Sequence, residues 1–576
     1  MKKYLFIAFM AVVNVVQAQF VIEMNDGQVV PWNYELNVAQ SGTDDVWSIT
    51  RNALFNSNLE LSKIKSIRTA TMAERLSSYK SPKYADDYRQ QSGWNNRSSW
   101  NLANIHDPSV MRAEDGYYYM YCTDAGFGNP QDGHGHFHCR RSKNLVDWEY
   151  LGATMKELPS WVKPKLNEIR KAMGLGDSKT DFNKCGYWAP CARKVRNGLY
   201  RMYYVITIDG TIDGTYTWGE RAFIGLMETA TPWDVESWED KGFVITNYSD
   251  KGLNYKTTVL SSDARYWEQC YYKYNAIDPS YIITPEGEHW LVYGSWHSGF
   301  ALVQINPETG KTVVDPLPNP WGSENESAYG TRIATRSLKS RWQGSEAPEL
   351  IYRDGYYYLF MAYDGLDVPY NTRVVRSENI NGPYVGSDGT NVTKFGGEAY
   401  PIMTHPYKFS GDHGWVGISH CAVFDDGDGN WYYSSQARFP MNYDDWAPNA
   451  IMLGHVRSIR WTSSGWPVVM PERYGAVPQA PINEADIAGT WEHIDLGYKY
   501  GEMKASSEMT FGADHKITSG IWKGGTWSFD PKTNTLTANG VELLLERAVD
   551  WEASPRKTTI VYAGLGNKKT YWGKKK

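Results

Sequence analysis

The sequence has no apolar run long enough to cross a membrane, no basic stripe, few cysteines for its size and little helical patterning. A membrane helix needs about 18 consecutive apolar residues; the run from Tyr4 to Val16 is shorter and is broken by Asn14. With Met1-Lys2-Lys3 before it and Gln17-Ala18 after it, the run reads as an export signal over residues 1–18, basic at its start and ending on a small residue. No cysteine follows that cleavage point, so a lipid anchor has no support, and the expected location is secreted or periplasmic. The formal charge of −6 argues against nucleic acid as a partner. The six cysteines show no close pairing of the kind a structural zinc site uses, and a chain of this length needs no disulfide staples. Helical signal is confined to Pro159–Gly174 and Thr71–Tyr79.

What the chain has in abundance is aromatic surface, with 25 Trp and 41 Tyr. Such rings fill β-cores and also stack on sugars. Five times a short apolar strand, a Gly-containing turn and an aromatic-rich strand follow one another, with turn glycines at Gly116, Gly198, Gly287, Gly355 and Gly429. Asp-Gly, Asn-Gly and Glu-Gly between β-rich runs are hairpin signals. The turns lie about 70–90 residues apart, the length of a four-stranded blade with its loops, and five blades close a ring. The expected fold is all-β, a five-bladed β-propeller over residues 98–478. An N-terminal extension or small module (19–97) precedes it, and a C-terminal antiparallel β-barrel or sandwich (479–576) follows.

The repeat also points to a site. Nine positions before each turn glycine stand Asp107, Ala189, Asp278, Glu346 and His420. Equivalent positions of a propeller surround its axis, so two Asp, one Glu and one His are expected in one pocket, with Trp188 as an aromatic wall. Carboxylates crowded together repel, so at least one should stay protonated near neutrality. One protonated and one ionised carboxyl group are what glycoside hydrolysis requires. The competing reading is that these acids satisfy backbone N–H groups at strand starts.

At these residues the chain resembles glycoside hydrolase family 43, and within it the endo-1,5-α-L-arabinanases. The motifs are Ile-His-Asp-Pro-Ser (105–109), Trp-Ala-Pro (188–190), Asn-Ala-Ile-Asp-Pro-Ser (275–280), Tyr-Gly-Ser-Trp (293–296), Ser-Glu-Ala-Pro (345–348) and Tyr-Asn-Thr-Arg (370–373). The resemblance implies an inverting hydrolase cleaving internal α-1,5 bonds of arabinan. Asp107 would be the general base, Asp278 the residue that tunes and orients the acid, and Glu346 the general acid. Trp188, Asn275, Ser295, Trp296 and Arg373 would bind substrate, and His420 would help hold a calcium ion. Two departures from the family pattern stand out: Glu349 where an aromatic residue is usual, and Ser419-His420-Cys421 around the histidine. Exo-acting α-L-arabinofuranosidase or β-xylosidase activity is the alternative within the family, and a non-catalytic glycan-binding propeller the alternative outside it. A monomer is expected.

Two further features carry weaker expectations. His134, His136 and His138 would share one strand face and suggest a second metal site, but the only carboxylate evident near them is Asp132, and a substrate-facing or solvated loop is the stronger reading. In the C-terminal domain, Trp491, Trp522 and Trp527 are candidates for carbohydrate binding or for its core.

Overall fold

The computed structural model describes residues 20–32, 37–41, 46–50, 59–84, 92–124, 131–210, 217–252, 272–440 and 452–576. The segment expected as an export signal (1–18) and Cys270 lie outside the described residues. The other five cysteines are buried free thiols.

Five consecutive four-stranded antiparallel meanders form the propeller. Blade I begins with Ser109–Arg112, blade II with Gly186–Arg196, blade III with Ser280–Ile283, blade IV with Ser345–Arg353 and blade V with Ala422–Asp425. Each of these first strands lies beside the first strand of the next blade, and that of blade V lies beside that of blade I, so the ring is closed. Apolar side chains fill the layers between blades, including Tyr203, Ile224 and Tyr293 between blades II and III. Closure is secured where Ala103 pairs with Leu453 and the Gly454 N–H donates to the Leu102 carbonyl (2.8 Å).

The repeat register is almost correct. Asp107, Asp278 and His420 sit at positive φ, from 48° to 57°, just before their blades' inner pairing starts, and Ala189 (φ 41°) sits in the bulge between Trp188 and Cys191. In blade IV that conformation belongs to Ala347 (φ 54°), and Glu346 precedes it. The turn explains the slip. Blades I, III and V turn through three residues, whereas blade IV turns through Asp354-Gly355 alone, with Arg353 opposite Tyr356. Blade II also has a two-residue turn but recovers the lost residue in a bulge between Lys194 and Arg196. Glu346 is therefore the counterpart of Trp188, not of Asp107.

Two residues further along each inner strand lies a second ring of positions: Ser109, Cys191, Ser280, Glu349 and Ala422. Their side chains latch the next blade. Ser109 Oγ accepts from Ala192 N–H (2.9 Å), Cys191 Sγ from Tyr281 N–H (3.4 Å), Ser280 Oγ from Leu350 N–H (3.0 Å) and Glu349 from Val423 N–H (3.1 Å). Glu349 does more, because Arg193 reaches it from blade II with bonds of 2.6 and 2.7 Å to its two oxygens. Arg193 also touches Ser109 Oγ (3.3 Å), and Ser280 Oγ donates to Glu349 (2.9 Å). The departure at Glu349 is thus an axial ion pair joining all five blades beneath the first ring of residues.

The helix expected in Pro159–Gly174 is present over Val162–Ala172, with Val162, Leu166 and Ile169 buried. After the propeller, an eight-stranded antiparallel sheet spans Gly489–Lys575. Its edge strands, Ile517–Ser519 and Trp527–Asp530, meet through a Lys516–Thr526 bridge, so the sheet curls into a barrel. Trp491, Trp522 and Trp527 are buried in it, with Trp491 Nε1 donating to Ile487 O and Trp527 Nε1 to Gly512 O. They are core residues. The barrel joins blades IV and V through parallel pairing of Tyr407–Lys408 with Lys504–Ala505 and through Trp572, whose Nε1 donates to Val469 O (2.8 Å).

Residues up to Ser81, with Ala476–Ile482, form a separate compact unit. It contains the sheet of Phe20–Met24, Val29–Trp32 and Ile64–Thr69, a smaller three-stranded sheet, and the helix Met72–Ser78. The expected helix start at Thr71 is a reciprocal cap between Thr71 and Glu74.

Candidate active site

The first ring brings the predicted acids together. Asp107 and Asp278 are buried, and His420 donates from Nδ1 to Asp107 Oδ1 (2.8 Å). Thr123 Oγ1 donates to Asp107 Oδ2 (2.7 Å), and His106 Nε2 lies 3.3 Å from Oδ1. Asp278 Oδ2 accepts from the N–H of Ala347, so the left-handed residue of blade IV fixes this carboxylate (2.9 Å). Glu346 accepts from Ser295 Oγ (3.1 Å) and Trp296 Nε1 (2.6 Å) on Oε2, and from the Tyr370 hydroxyl (2.6 Å) on Oε1.

Electrostatics separates the three acids. Burial pushes Asp107 up, but the imidazoles of His106 and His420 and the hydrogen bonds from His420 and Thr123 outweigh it and hold the carboxyl well below its usual range. Burial lowers His106 to about 4, so at neutral pH that ring is uncharged and the countercharge is His420. His420 itself is raised to about 9: burial opposes its charge, but Asp107, Asp278 and Glu346 all favour it. Asp278 is raised, first by burial and then by the charges of Glu346 and Asp107. Glu346 is also raised, chiefly by burial, against the pull of its Tyr370 and Trp296 donors and of His420. Burial and mutual charge thus pull the acids apart: Asp107 is shifted toward its ionised form, Asp278 and Glu346 toward the proton.

The other predicted residues divide. Ser295 and Trp296 contact Glu346 directly. Asn275 is a buried brace: its Nδ2 donates to Ser295 O (3.3 Å), and its Oδ1 accepts from Asn247 (2.9 Å). Trp188 is half-buried at the position corresponding to Glu346. Arg373 faces the protein interior. Its guanidinium is fully buried, donates to Asn371 Oδ1 (2.5 Å) and Ala399 O (2.7 Å), and lies over the rings of Tyr363, Tyr400 and Tyr498. The histidine-rich segment disperses rather than converging. His134 stacks on Trp94, His138 bonds to the Tyr150 hydroxyl (2.7 Å), and His136 pairs with Asp124 (2.6 Å), not Asp132.

Sequence reasoning missed Thr123, Tyr370 and Arg438. Tyr370 stood inside a quoted motif, and a tyrosine just before a strand was its only signal. Burial disfavours the charge of Arg438, against the nearby carboxylates of Asp367 and Asp107, which favour it. As a calcium site, the surroundings of His420 fit poorly. Nδ1 is committed to Asp107, and among the described residues the one group of three acidic or imidazole ligands within reach of one ion is Glu472, Asp550 and Glu552. Those three hold the Lys574 ammonium. A hard cation needs six or more oxygens, and one imidazole does not supply them.

Residues 102–467 match the model of glycosyl hydrolases family 43, and residues 471–573 match a C-terminal lipocalin-like domain. An extracellular endo-α-(1→5)-L-arabinanase of Thermotoga petrophila is 26% identical over 496 residues, covering 81% of this chain and 93% of the relative. The extracellular endo-α-(1→5)-L-arabinanase 2 of Bacillus subtilis is 24% identical over 497 residues, covering 82% and 92%. The crystal structure of the Thermotoga petrophila RKU-1 endo-1,5-α-L-arabinanase superposes with a TM-score of 0.61 at 21% identity, over 82% of this chain and 99% of that one.

Proposed function

Because this chain belongs to glycosyl hydrolases family 43 and is a glycoside hydrolase, we propose that it cleaves internal α-1,5-L-arabinofuranosidic bonds of arabinan with inversion. The observation that carries the reading is the divided pocket: Asp107 is held ionised by His420 while Glu346 is held toward its protonated form by burial. Relatives named as endo-arabinanases that align over more than nine-tenths of their own length support the substrate class.

In the proposed reaction, Trp296 N–H can only donate, so it keeps Glu346 Oε2 an acceptor and leaves the acid proton on Oε1. That proton passes to the departing glycosidic oxygen as its bond to the anomeric carbon breaks. Asp107 takes a proton from the water that attacks the opposite face of the sugar, and exchange with solvent restores both groups. Asp278 shares the pocket with Glu346, and its charge state sets how firmly the acid keeps its proton. Trp188 offers a ring face to a sugar beside the acid.

The calcium ion implied at His420 rests on the resemblance alone, and no step is routed through it. Loss of activity on exhaustive chelation, restored by calcium, would support it; unchanged activity assigns His420 to Asp107 alone. Export and a monomeric state belong to the same reading, the first supported by relatives named extracellular. The decisive assay is the product profile on linear arabinan over time. Early mixed oligosaccharides support endo action, monomer alone would replace it with exo action, and no released sugar would leave a binding propeller. Proton NMR of the first anomer formed tests inversion.

A further inference from the structure

The carboxylate of Asp364 stands where the second strand of blade IV ends, next to Tyr363, which pairs with Ser345 beside the catalytic Glu346. Asp364 is left-handed (φ 71°), a conformation that a non-glycine residue keeps only when its surroundings hold it. Four bonds do so here. Its N–H donates to Gly344 O (2.8 Å), Oδ1 accepts from Arg336 (2.8 Å), and Oδ2 accepts from Asn371 Nδ2 (3.0 Å) and from the Tyr498 hydroxyl (2.7 Å).

Asn371 closes the other end of the same loop. Its amide also reaches Tyr363 O (3.2 Å) and Pro369 O (3.0 Å), and its oxygen accepts from Arg373. Asp364 and Asn371 together thus clamp the connection from Asp364 to Tyr370. Tyr370 is its last residue, is almost wholly buried, and puts its hydroxyl 2.6 Å from Glu346 Oε1. Three of the four partners of Asp364 come from the propeller. The fourth, Tyr498, comes from the barrel, on a segment that also donates from Lys499 N–H to His405 Nε2 (3.4 Å) and whose Tyr498 ring lies 4.6 Å from the Arg373 guanidinium.

We infer that Tyr498 of the C-terminal barrel is a positioning residue for the catalytic acid, acting through Asp364 on the loop that aims the Tyr370 hydroxyl at Glu346. The barrel is thereby part of the apparatus that sets the acid's affinity for its proton. This rests on the assignment of Glu346 as general acid. Tyr370 donates to the carboxylate and so favours its ionised form; loosening that bond lets burial raise the acid further.

The test is a pH–rate cycle on the full chain with Tyr498→Phe, Tyr370→Phe and the double variant, using linear arabinan. Phenylalanine keeps the ring under Arg373 and removes only the hydroxyl. Tyr370→Phe should move the alkaline limb of kcat/KM up by about one pH unit, the worth of one hydrogen bond to a charged group. Tyr498→Phe should move it the same way by roughly a third to a half of a unit, with kcat lowered about threefold and KM changed less than about twofold. The double variant should match Tyr370→Phe alone, because Tyr498 acts through that hydroxyl. An unmoved limb in Tyr498→Phe, or an additive shift in the double variant, overturns the inference. If Tyr370→Phe itself leaves the limb in place, the assignment of Glu346 fails instead. Asp364→Asn, which keeps the side-chain shape and removes the charge, should shift the limb in the same direction; no shift there also overturns the inference.

Discussion

Glu349→Leu removes one half of the axial ion pair while roughly keeping its volume. The carboxylate it deletes accepts two bonds from Arg193, one from Ser280 Oγ and one from the Val423 N–H. Breaking a buried pair from one side costs roughly 3–5 kcal/mol, because the surviving charge is left without compensation. The orphaned Val423 N–H adds roughly 1–3 kcal/mol. Arg193 is about one-fifth exposed, so water recovers part of that loss. A net destabilisation of about 3–5 kcal/mol is therefore expected for the propeller. Urea denaturation followed by near-UV circular dichroism should show the propeller transition at lower urea, and a barrel that unfolds separately should keep its midpoint. Adding Arg193→Met removes the stranded charge, so the double variant should recover roughly 2 kcal/mol relative to Glu349→Leu. A single variant with the wild-type midpoint would refute the buried-pair reasoning, as would a double variant weaker than the sum of its parts.

Glu346→Gln should lower kcat on arabinan by roughly two to four orders of magnitude, with much smaller losses on aryl glycosides, whose leaving groups need little protonation; equal losses on both would remove the acid role. Asp107→Asn should abolish turnover of both substrates alike, and activity on the aryl substrate would remove the base role. Burial lowers His138 to about 3 and His297, His405 and His493 to about 4. Below pH 6.5 the unfolded chain binds protons that the folded chain refuses, so their neutral state favours folding fully above that pH and progressively less down to about 4. Calorimetry from pH 7.5 to 4.5 should show the melting temperature of the wild type falling more steeply than that of His493→Gln, which has no ring to protonate in the unfolded chain; equal slopes would contradict the burial of that ring.

How much of this was legible follows the length scale of the interactions. The hairpin turns and the left-handed Asp107, Asp278 and His420 are local features repeated at regular intervals, so one sequence exposed them. The register picked out Glu346 and its motif supplied a role, but the register paired it with the wrong counterpart by one residue, because a missing turn residue in blade IV leaves no trace in the spacing until the pairing is known. Tyr370 and Arg438 come from connections that do not repeat. Arg373 sits in a motif beside the site yet turns into the protein, a direction that composition does not encode. The Arg193–Glu349 pair and the Tyr498–Asp364 bond join residues more than 130 positions apart, and only the closed ring and the docked barrel bring them together. The tryptophans of the barrel had two open readings, and burial decides for the core.

The pairing of Ala103 with Leu453 joins segments separated by nearly the whole propeller. Blades II to V can form and stack in order as the chain extends, each latched to its predecessor by a side chain. At the last junction Ala422 offers no acceptor, the Asp107 N–H donates instead to Gln436 of blade V, and closure waits for residue 454 to be present. Closing so long a loop carries a large entropic barrier. Until then the first and last blades expose apolar faces to solvent, and the catalytic pocket lacks one wall. Activity should therefore appear late and all at once during refolding, in step with burial of Trp100 and Ile105 rather than with the earlier gain of β-structure.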